Sequence, residues 1–206
     1  MLIPIYFLIG GYGTGNKSAA AVKFLLYSLF GGLLMLASII GIYVISGNQI
    51  GATFDLAKLA TLQIDNQTEY FLFLGFFIAF AIKMPIFPFH TWQPDTYTTS
   101  PAQGSMLLGG IMLKMGTYGV IRLVLPMFPL GMATWGSTAM ILSIIGVIYG
   151  SIIAIQQKDA KRLLAYSSFA HVGLISAGML TQSFDGIQGA LYQMLSHGIN
   201  VIGLFF

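Results

Sequence analysis

Long apolar runs separated by short polar stretches are the main pattern in this chain. Four runs contain no Asp, Glu, Lys or Arg, and each is long enough for the roughly 20 residues that an α-helix needs to cross a hydrocarbon core. They are Phe24–Phe54, Leu123–Gln157, Leu163–Phe184 and Gly186–Phe206. The runs do not alternate between polar and apolar residues, as the strands of a membrane barrel would. The pattern therefore predicts an all-α fold, a polytopic bundle of transmembrane helices.

The polar breaks divide the chain into about seven spanning segments. We place these segments at Met1–Gly11, Ala19–Ser46, Tyr70–Phe89, Ala102–Leu125, Ala133–Gln156, Leu163–Leu180 and Gly186–Phe206. The chain begins and ends inside apolar sequence. We therefore expect residues 1–206 to be a single transmembrane domain, the central part of a longer protein truncated at both ends.

Basic residues predict how the spans are oriented. Lys17 and Lys23 lie at one turn, and the stretch Gln157–Arg162 at another contains three further basic residues. Counting spans places both turns on the same side of the membrane. Because cytoplasmic loops carry an excess of Lys and Arg, we expect this side, including the connection His90–Pro101, to face the cytoplasm.

Composition narrows the class of protein. Only 7% of the 206 residues are charged, against about 25% in an ordinary soluble domain. The net charge of +3 is too small to suggest a nucleic-acid partner. The chain has no Cys, which excludes disulfides, thiolate metal sites and Cys-ligated iron–sulfur clusters. No phosphate loop or dinucleotide fingerprint is present, so we expect no complete active site in this chain alone.

The segment Tyr70–Phe89 carries a lysine beside two prolines. Lys83 follows the apolar stretch Tyr70–Ile82, roughly 20 Å of helix. Pro85 and Pro88 remove backbone donors and clash with carbonyls four residues earlier, so we expect the helix to break near Lys83 and to expose carbonyls to a polar cavity. A charge at mid-bilayer costs roughly 3 kcal/mol or more. This cost favours a role in ion translocation, of protons above all, over a lysine that snorkels to the headgroups.

A second lysine, Lys114, lies in the middle of the next span, Ala102–Leu125. Glycines flank it and would let neighbouring helices approach closely, and Tyr118, one turn later, is placed to share a hydrogen bond with it. Two intramembrane lysines on consecutive spans favour a proton relay. The alternative is a lysine paired with a fixed carboxylate that serves assembly.

Two histidines lie on polar stripes of otherwise apolar spans. The stripes are Ser167, Ser168 and His171 in one span, and Gln193, His197 and Asn200 in another. Residues three or four apart share a helix face, and histidine titrates near neutral pH, so both stripes suit proton transfer. The alternative is that they only hydrogen-bond between helices. Neither histidine has a carboxylate or Cys at ligand spacing, so we expect no metal site.

The connection His90–Pro101 contains further polar and aromatic residues, for which we favour structural roles. Trp92 and Tyr97 are expected to be interfacial anchors. Asp95 is expected to cap a short helix.

Four stretches closely resemble the antiporter-like membrane subunits of proton-pumping NADH:quinone oxidoreductase, respiratory complex I, and within that family most resemble the chain M group. The stretches are KMPIFPFHTWQPDTYTTSP, GSMLLGGIMLKMGTYGVIR, QQKDAKRLLAYSSFAHVGLISAG and YQMLSHGINVIGLFF. The resemblance covers essentially the whole chain. It implies a parent fold of 14 or so spans with two inverted five-helix repeats, each with a broken helix, of which this chain is the middle.

The resemblance also implies roles for individual residues. Lys83 matches the lysine of the broken helix, and Lys114 matches the lysine of the next helix, which links half-channels. His171 and His197 match histidines of the central hydrophilic axis. These four residues are the expected proton relay.

Two features of the family are not matched. The glutamate that pairs with the broken-helix lysine would lie before Met1. The family's LPDAH reads QPDTY here, so Tyr97 occupies the place of the histidine and the role of that histidine does not carry over.

The resemblance implies a non-redox, proton-translocating subunit, coupled to quinone reduction elsewhere in the complex. We expect no cofactor in this chain, whereas the complex would use NADH, flavin, iron–sulfur clusters and quinone. The expected partners are the lipid bilayer and other membrane subunits of complex I, and the expected location is a bacterial inner membrane, with multiple passes. The alternatives are a subunit of a multisubunit cation/proton antiporter, sibling chain L or N of complex I, or a scaffold for a neighbouring pump.

Overall fold

The computed structural model describes residues 2–206, and every regular element in that range is helical. The helices, numbered in chain order, are α1 (Leu2–Tyr12), α2 (Lys17–Gln49), α3 (Leu56–Leu59), α4 (Asn66–Lys83), α5 (Trp92–Thr99), α6 (Ala102–Met127), α7 (Pro129–Ile155), α8 (Ala160–Leu180) and α9 (Phe184–Phe205). The predicted all-α fold is confirmed.

Four of these helices, α2, α6, α7 and α8, are long and apolar enough to cross a membrane. The predicted count of about seven spans is therefore supported for four segments. Helix α1 is apolar but short, and α4 and α9 carry polar residues in their first turns. For these three helices the spanning role stays a prediction, and Met1 lies outside the described residues.

The predicted broken helix is the pair α4 and α5. Helix α4 ends at Lys83 and α5 begins at Trp92, with Pro85 and Pro88 in the gap between them. The break falls at the lysine because neither proline can continue the helical hydrogen bonds. The carbonyl oxygen of Ile82, in the last turn of α4, accepts a hydrogen bond of 2.9 Å from the indole nitrogen of Trp92.

The predicted roles of three residues in the connection were wrong. Trp92 and Tyr97 are 1% and 0% exposed, so they pack inside the bundle and do not anchor it at a lipid interface. Asp95 does not cap α5, because Thr91 holds the N-cap position. The carboxylate of Asp95 instead bonds the amine of Lys23 at 2.8 Å.

Ionic and polar contacts bring the two basic turns to the same end of the bundle. Asp95 lies between them, since its carboxylate bonds Lys23 and lies 3.9 Å from the guanidinium of Arg162. The amine of Lys161 donates to the carbonyl of Ser100 at 3.1 Å. Span counting predicts this common end, and its assignment to the cytoplasm stays a prediction.

At the opposite end of the bundle, a buried carboxylate joins α4 to α7. Glu69 is 5% exposed, and its Oε1 accepts the backbone N–H of Leu130 at 2.8 Å and of Gly131 at 3.2 Å. These N–H groups lie in the first turn of α7, where they have no partner within their own helix. Glu69 therefore supplies α7 with a cap from another helix.

Glycines let α4 and α6 pack closely beside the break. A Cβ atom added at Gly116 would lie 2.9 Å from the backbone nitrogen of Met84, and one added at Gly119 would overlap the ring of Phe80. This close approach fixes the end of α4, and with it Lys83, against the middle of α6.

Candidate functional site

Lys114 and His197 meet between α6 and α9. Lys114 lies between two π-helical segments of α6, Leu108–Met112 and Val120–Val124, and such segments are frequent at functional sites. Its Nζ lies 2.7 Å from Nδ1 of His197 and also donates to the carbonyl of Gly109. His197 is 3% exposed, so the pair lies inside the protein.

The other ring nitrogen of His197 contacts α8. Nε2 of His197 lies 3.1 Å from Oγ of Ser168, which is itself buried. When Lys114 is charged it can only donate, so Nδ1 of His197 accepts and Nε2 carries the proton toward Ser168. If the ring takes a proton from Lys114 at Nδ1, it can release one at Nε2. The geometry thus allows a proton to enter the ring on one side and leave it on the other.

His171 lies beside this pair on α8. Its ring centroid is 5.7 Å from that of His197. Its Nδ1 donates to the carbonyl of Ser167 at 2.8 Å, so Nε2 is not used in that bond. The side chain of His171 is exposed. Both histidines line a cavity of about 310 Å³ that also reaches Ser168 and Asn200.

Lys83 does not join this cluster. It lies at the edge of a separate cavity of about 470 Å³, and its neighbours there include Met112 and Met115 of α6. The expectation of a polar cavity around Lys83 was wrong, since the lining is mostly apolar, with Ser28 and Trp92 as its other residues with polar side-chain atoms. Lys114 therefore faces His197 on one side of α6, and the cavity beside Lys83 lies on another side of the same helix.

The predicted hydrogen bond between Tyr118 and Lys114 is not formed in the described structure. Tyr118 is 62% exposed. Within residues 2–206, the amine of Lys114 bonds the carbonyl of Gly109 and the ring of His197.

Tyr97 is a buried neighbour of the site for which sequence reasoning proposed only a structural role. A Cβ atom added at Gly109, whose carbonyl binds Lys114, would lie 3.2 Å from the Tyr97 hydroxyl. The side chain of Tyr97 is fully buried, and within residues 2–206 its hydroxyl has no hydrogen-bond partner. The spacing of Gln93 and Tyr97, four residues apart and so on one helix face, is the sequence signal that could have indicated this position.

The site has the chemistry of proton exchange. Amine, imidazole and hydroxyl groups stand in series, and each of them can bind and release a proton. Within residues 2–206 no group of three or more His, Asp or Glu side chains is placed to hold a metal ion.

A helix broken at a lysine, together with a buried Lys–His pair among apolar helices, is typical of membrane proteins that carry ions. The whole chain, residues 1–206, matches the model of the family described as NADH:quinone oxidoreductase/Mrp antiporter, transmembrane. The chain belongs to this family.

Individual members of the family are similar over the full chain. The NADH-quinone oxidoreductase subunit M of Pseudomonas aeruginosa is 43% identical over 100% of this chain and 42% of its own length. That of Mycobacterium tuberculosis is 45% identical over 100% of this chain and 38% of its own length. A chain of respiratory complex I from Thermus thermophilus with bound NADH superposes with a TM-score of 0.92, at 33% identity, over 99% of this chain and 43% of that chain. The chain thus spans about two fifths of the length of the relatives it matches.

Proposed function

We propose that this chain is the proton-translocating middle part of a membrane subunit of NADH:quinone oxidoreductase, of the subunit M type. The observation that carries the proposal is the series Lys114, His197 and Ser168, in which the two ring nitrogens of one buried histidine contact an amine and a hydroxyl. Membrane proteins retain such groups where they move ions, because an intramembrane ionisable residue is costly.

In this proposal Lys114 and His197 exchange a proton directly, and His171 extends the relay through the cavity that it shares with His197. Lys83 serves as a separate proton-binding group. Its place at the end of α4, beside an apolar cavity, makes its charge state sensitive to any group that approaches from outside the described residues. Proton transfer between Lys83 and Lys114 then requires a path around α6.

The proposal assigns the redox chemistry to other subunits. NADH, flavin, iron–sulfur clusters and quinone are bound elsewhere in the complex, and this chain binds none of them. Residues 1–206 act as one transmembrane domain, with multiple passes through a bacterial inner membrane, and the partners of this domain are the other membrane subunits of complex I and the lipid.

A second candidate function is a subunit of a multisubunit cation/proton antiporter, because the matched family includes Mrp antiporters as well as the oxidoreductase. The identity of 43% and 45% to two subunit M proteins favours the first candidate.

The test replaces each lysine in the intact protein within its complex. We expect Lys83→Ala and Lys114→Ala to lower NADH-driven proton uptake into inside-out membrane vesicles, relative to the quinone reduced. Lys58→Ala, a change at an exposed lysine of α3, is the matched control and should have no effect. Near-normal proton uptake in both test variants would defeat the proposal.

A further inference from the structure

An apolar cavity lies between α2, α4 and α6 at the end of the bundle that carries Glu69. Its volume is about 170 Å³, and Ile42, Phe76 and Leu123 line it from these three helices. Eight of its ten lining residues are Ile, Leu, Met or Phe. Because such a lining offers an ordered water few partners, the cavity suits an apolar group.

The connection between α2 and α4 covers this cavity and is held in place. Nε2 of Gln49 donates to the carbonyl of Gln63 at 2.6 Å, and Oε1 of Gln49 accepts from the N–H of Gln63 at 3.1 Å. The ring of Phe54, one wall of the cavity, stacks on Tyr43 of α2 at 4.7 Å. Phe54 is also 68% exposed, so this wall reaches the surface of the bundle. The cavity is therefore preformed and opens at that surface.

A second, smaller cavity beside the first contains a cation. Arg122 of α6 lines this cavity of about 150 Å³ together with Ala57 and Ala60 of the connection. Leu56 and Met127 line both cavities, so the two are adjacent. The side chain of Arg122 is exposed. An apolar cavity and a guanidinium thus open side by side on the surface.

The charge of Arg122 is available to an outside group. The two ion pairs within residues 2–206 both involve Asp95, at the basic end of the bundle. A guanidinium stays charged and can bind a phosphate through two parallel N–H···O bonds. Arg122 lies in the last two turns of α6, which ends at Met127. Because two turns of helix rise only about 11 Å, the guanidinium can reach the depth of lipid headgroups.

We propose that Arg122 and the apolar cavity beside it bind one phospholipid of the leaflet at this end of the bundle. The phosphodiester accepts hydrogen bonds from the guanidinium, and part of one acyl chain occupies the cavity. A helix of a partner subunit, about 10 Å across with its side chains, does not fit a cavity of this volume, whereas an acyl chain does. The site is independent of the proposed function, because none of its residues belongs to the Lys–His series.

The test uses the intact complex in membranes that contain a phosphatidylglycerol with a photoreactive diazirine in one acyl chain. After illumination, we expect mass spectrometry to find this lipid attached to peptides that contain Phe54 or Leu123. Arg122→Gln should lower this labelling, per complex assembled on native gels, roughly twofold to fivefold, the range for an exposed ionic contact. Lys58→Gln, at an exposed lysine of α3 that lines neither cavity, is the matched control and should label normally.

Two further measurements separate the headgroup from the chain. Leu123→Phe places a ring in the cavity while Arg122 stays in place, and it should also lower labelling of the peptide that contains Phe54. A diacylglycerol with the same diazirine has no phosphate for Arg122 to bind, so it should label the unchanged protein less than the phosphatidylglycerol does.

Three results would overturn the phospholipid site. One is equal labelling of the unchanged protein and Arg122→Gln. Another is labelling by the diacylglycerol as strong as that by the phosphatidylglycerol, which would mean general contact with the bilayer. The third is loss of a neighbouring subunit from Arg122→Gln on native gels with unchanged labelling per complex, which would mean that Arg122 pairs with a protein carboxylate. Normal proton uptake in Lys83→Ala and Lys114→Ala would defeat the proposed function and leave this site untouched.

Discussion

The indole nitrogen of Trp92 and the carbonyl oxygen of Ile82 lie 2.9 Å apart, and this hydrogen bond joins the two halves of the broken helix. In an unbroken helix the carbonyl of Ile82 would accept from the N–H of Ile86, but that N–H bonds the carbonyl of Ala81. Trp92 thus satisfies a buried backbone group that the break leaves free. The break is a stable feature of the fold because its first free carbonyl has a side-chain partner.

Loss of this bond should destabilise the protein. Trp92→Phe keeps most of the ring but leaves the carbonyl of Ile82 unpaired, at a cost of about 1–3 kcal/mol. The thermal unfolding midpoint of the purified protein should fall. Trp135→Phe, at a tryptophan that is 42% exposed, is the control. Equal midpoints for the two variants would contradict a structural role for this bond.

The two histidines should differ in importance for proton uptake. His197→Ala removes contacts to both Lys114 and Ser168, and we expect a loss on the order of tenfold or more, as for a group that transfers protons directly. His171→Ala removes only a bond to the Ser167 carbonyl of its own helix, so its effect should be smaller. NADH-driven proton uptake in vesicles measures both. A larger loss of proton uptake in His171→Ala than in His197→Ala would show that the proton does not pass through His197.

The packing of α4 on α6 should not tolerate a side chain at Gly116. A Cβ atom there would lie 2.9 Å from the backbone nitrogen of Met84 and 3.1 Å from the carbonyl oxygen of Phe80. Because backbone atoms cannot rotate away, Gly116→Ala should destabilise the protein by about 1–3 kcal/mol. Gly189→Ala is the control, since no heavy atom within the described residues lies within 4 Å of its added Cβ. A thermal midpoint for Gly116→Ala at or above that of Gly189→Ala would refute the close packing.

Glu69 should contribute to stability through the first turn of α7. Glu69→Ala leaves the N–H groups of Leu130 and Gly131 without their acceptor, and loss of a helix cap costs about 0.5–2 kcal/mol. Glu69→Gln keeps one acceptor oxygen and should lose less. Thermal unfolding of both variants measures whether Glu69→Ala loses more stability than Glu69→Gln. An equal loss in the two would mean that the charge of Glu69, and not its oxygen as an acceptor, stabilises α7.

Local sequence was sufficient to predict the helices and the break. The apolar composition of four predicted spanning segments predicts α2, α6, α7 and α8, because a membrane leaves the backbone no partner but its own helix. Pro85 and Pro88 predict the end of α4 at Lys83 because the effect of a proline on a helix acts over four residues. Both rules depend on neighbours in the chain, so no knowledge of the packing was needed.

The surroundings of the connecting helix could not be predicted in this way. Trp92, Asp95 and Tyr97 have the composition of an interface, yet the first and last are buried and Asp95 pairs with Lys23, 72 positions away. Burial here is set by α2 and α8, which pack around α5. Sequence patterns report the type of a residue and the period of its helix, and they do not report which other helix covers it.

The sequence by itself determined that this is a helical membrane protein with two lysines in apolar segments and two histidines on polar stripes, because hydrophobicity and proline act locally. Only the tertiary structure decided that Lys114 meets His197 across 83 positions, while Lys83 faces an apolar cavity on another side of α6. Contacts between residues so far apart depend on how whole helices pack. For this reason the partner of each lysine could be known only from the folded chain.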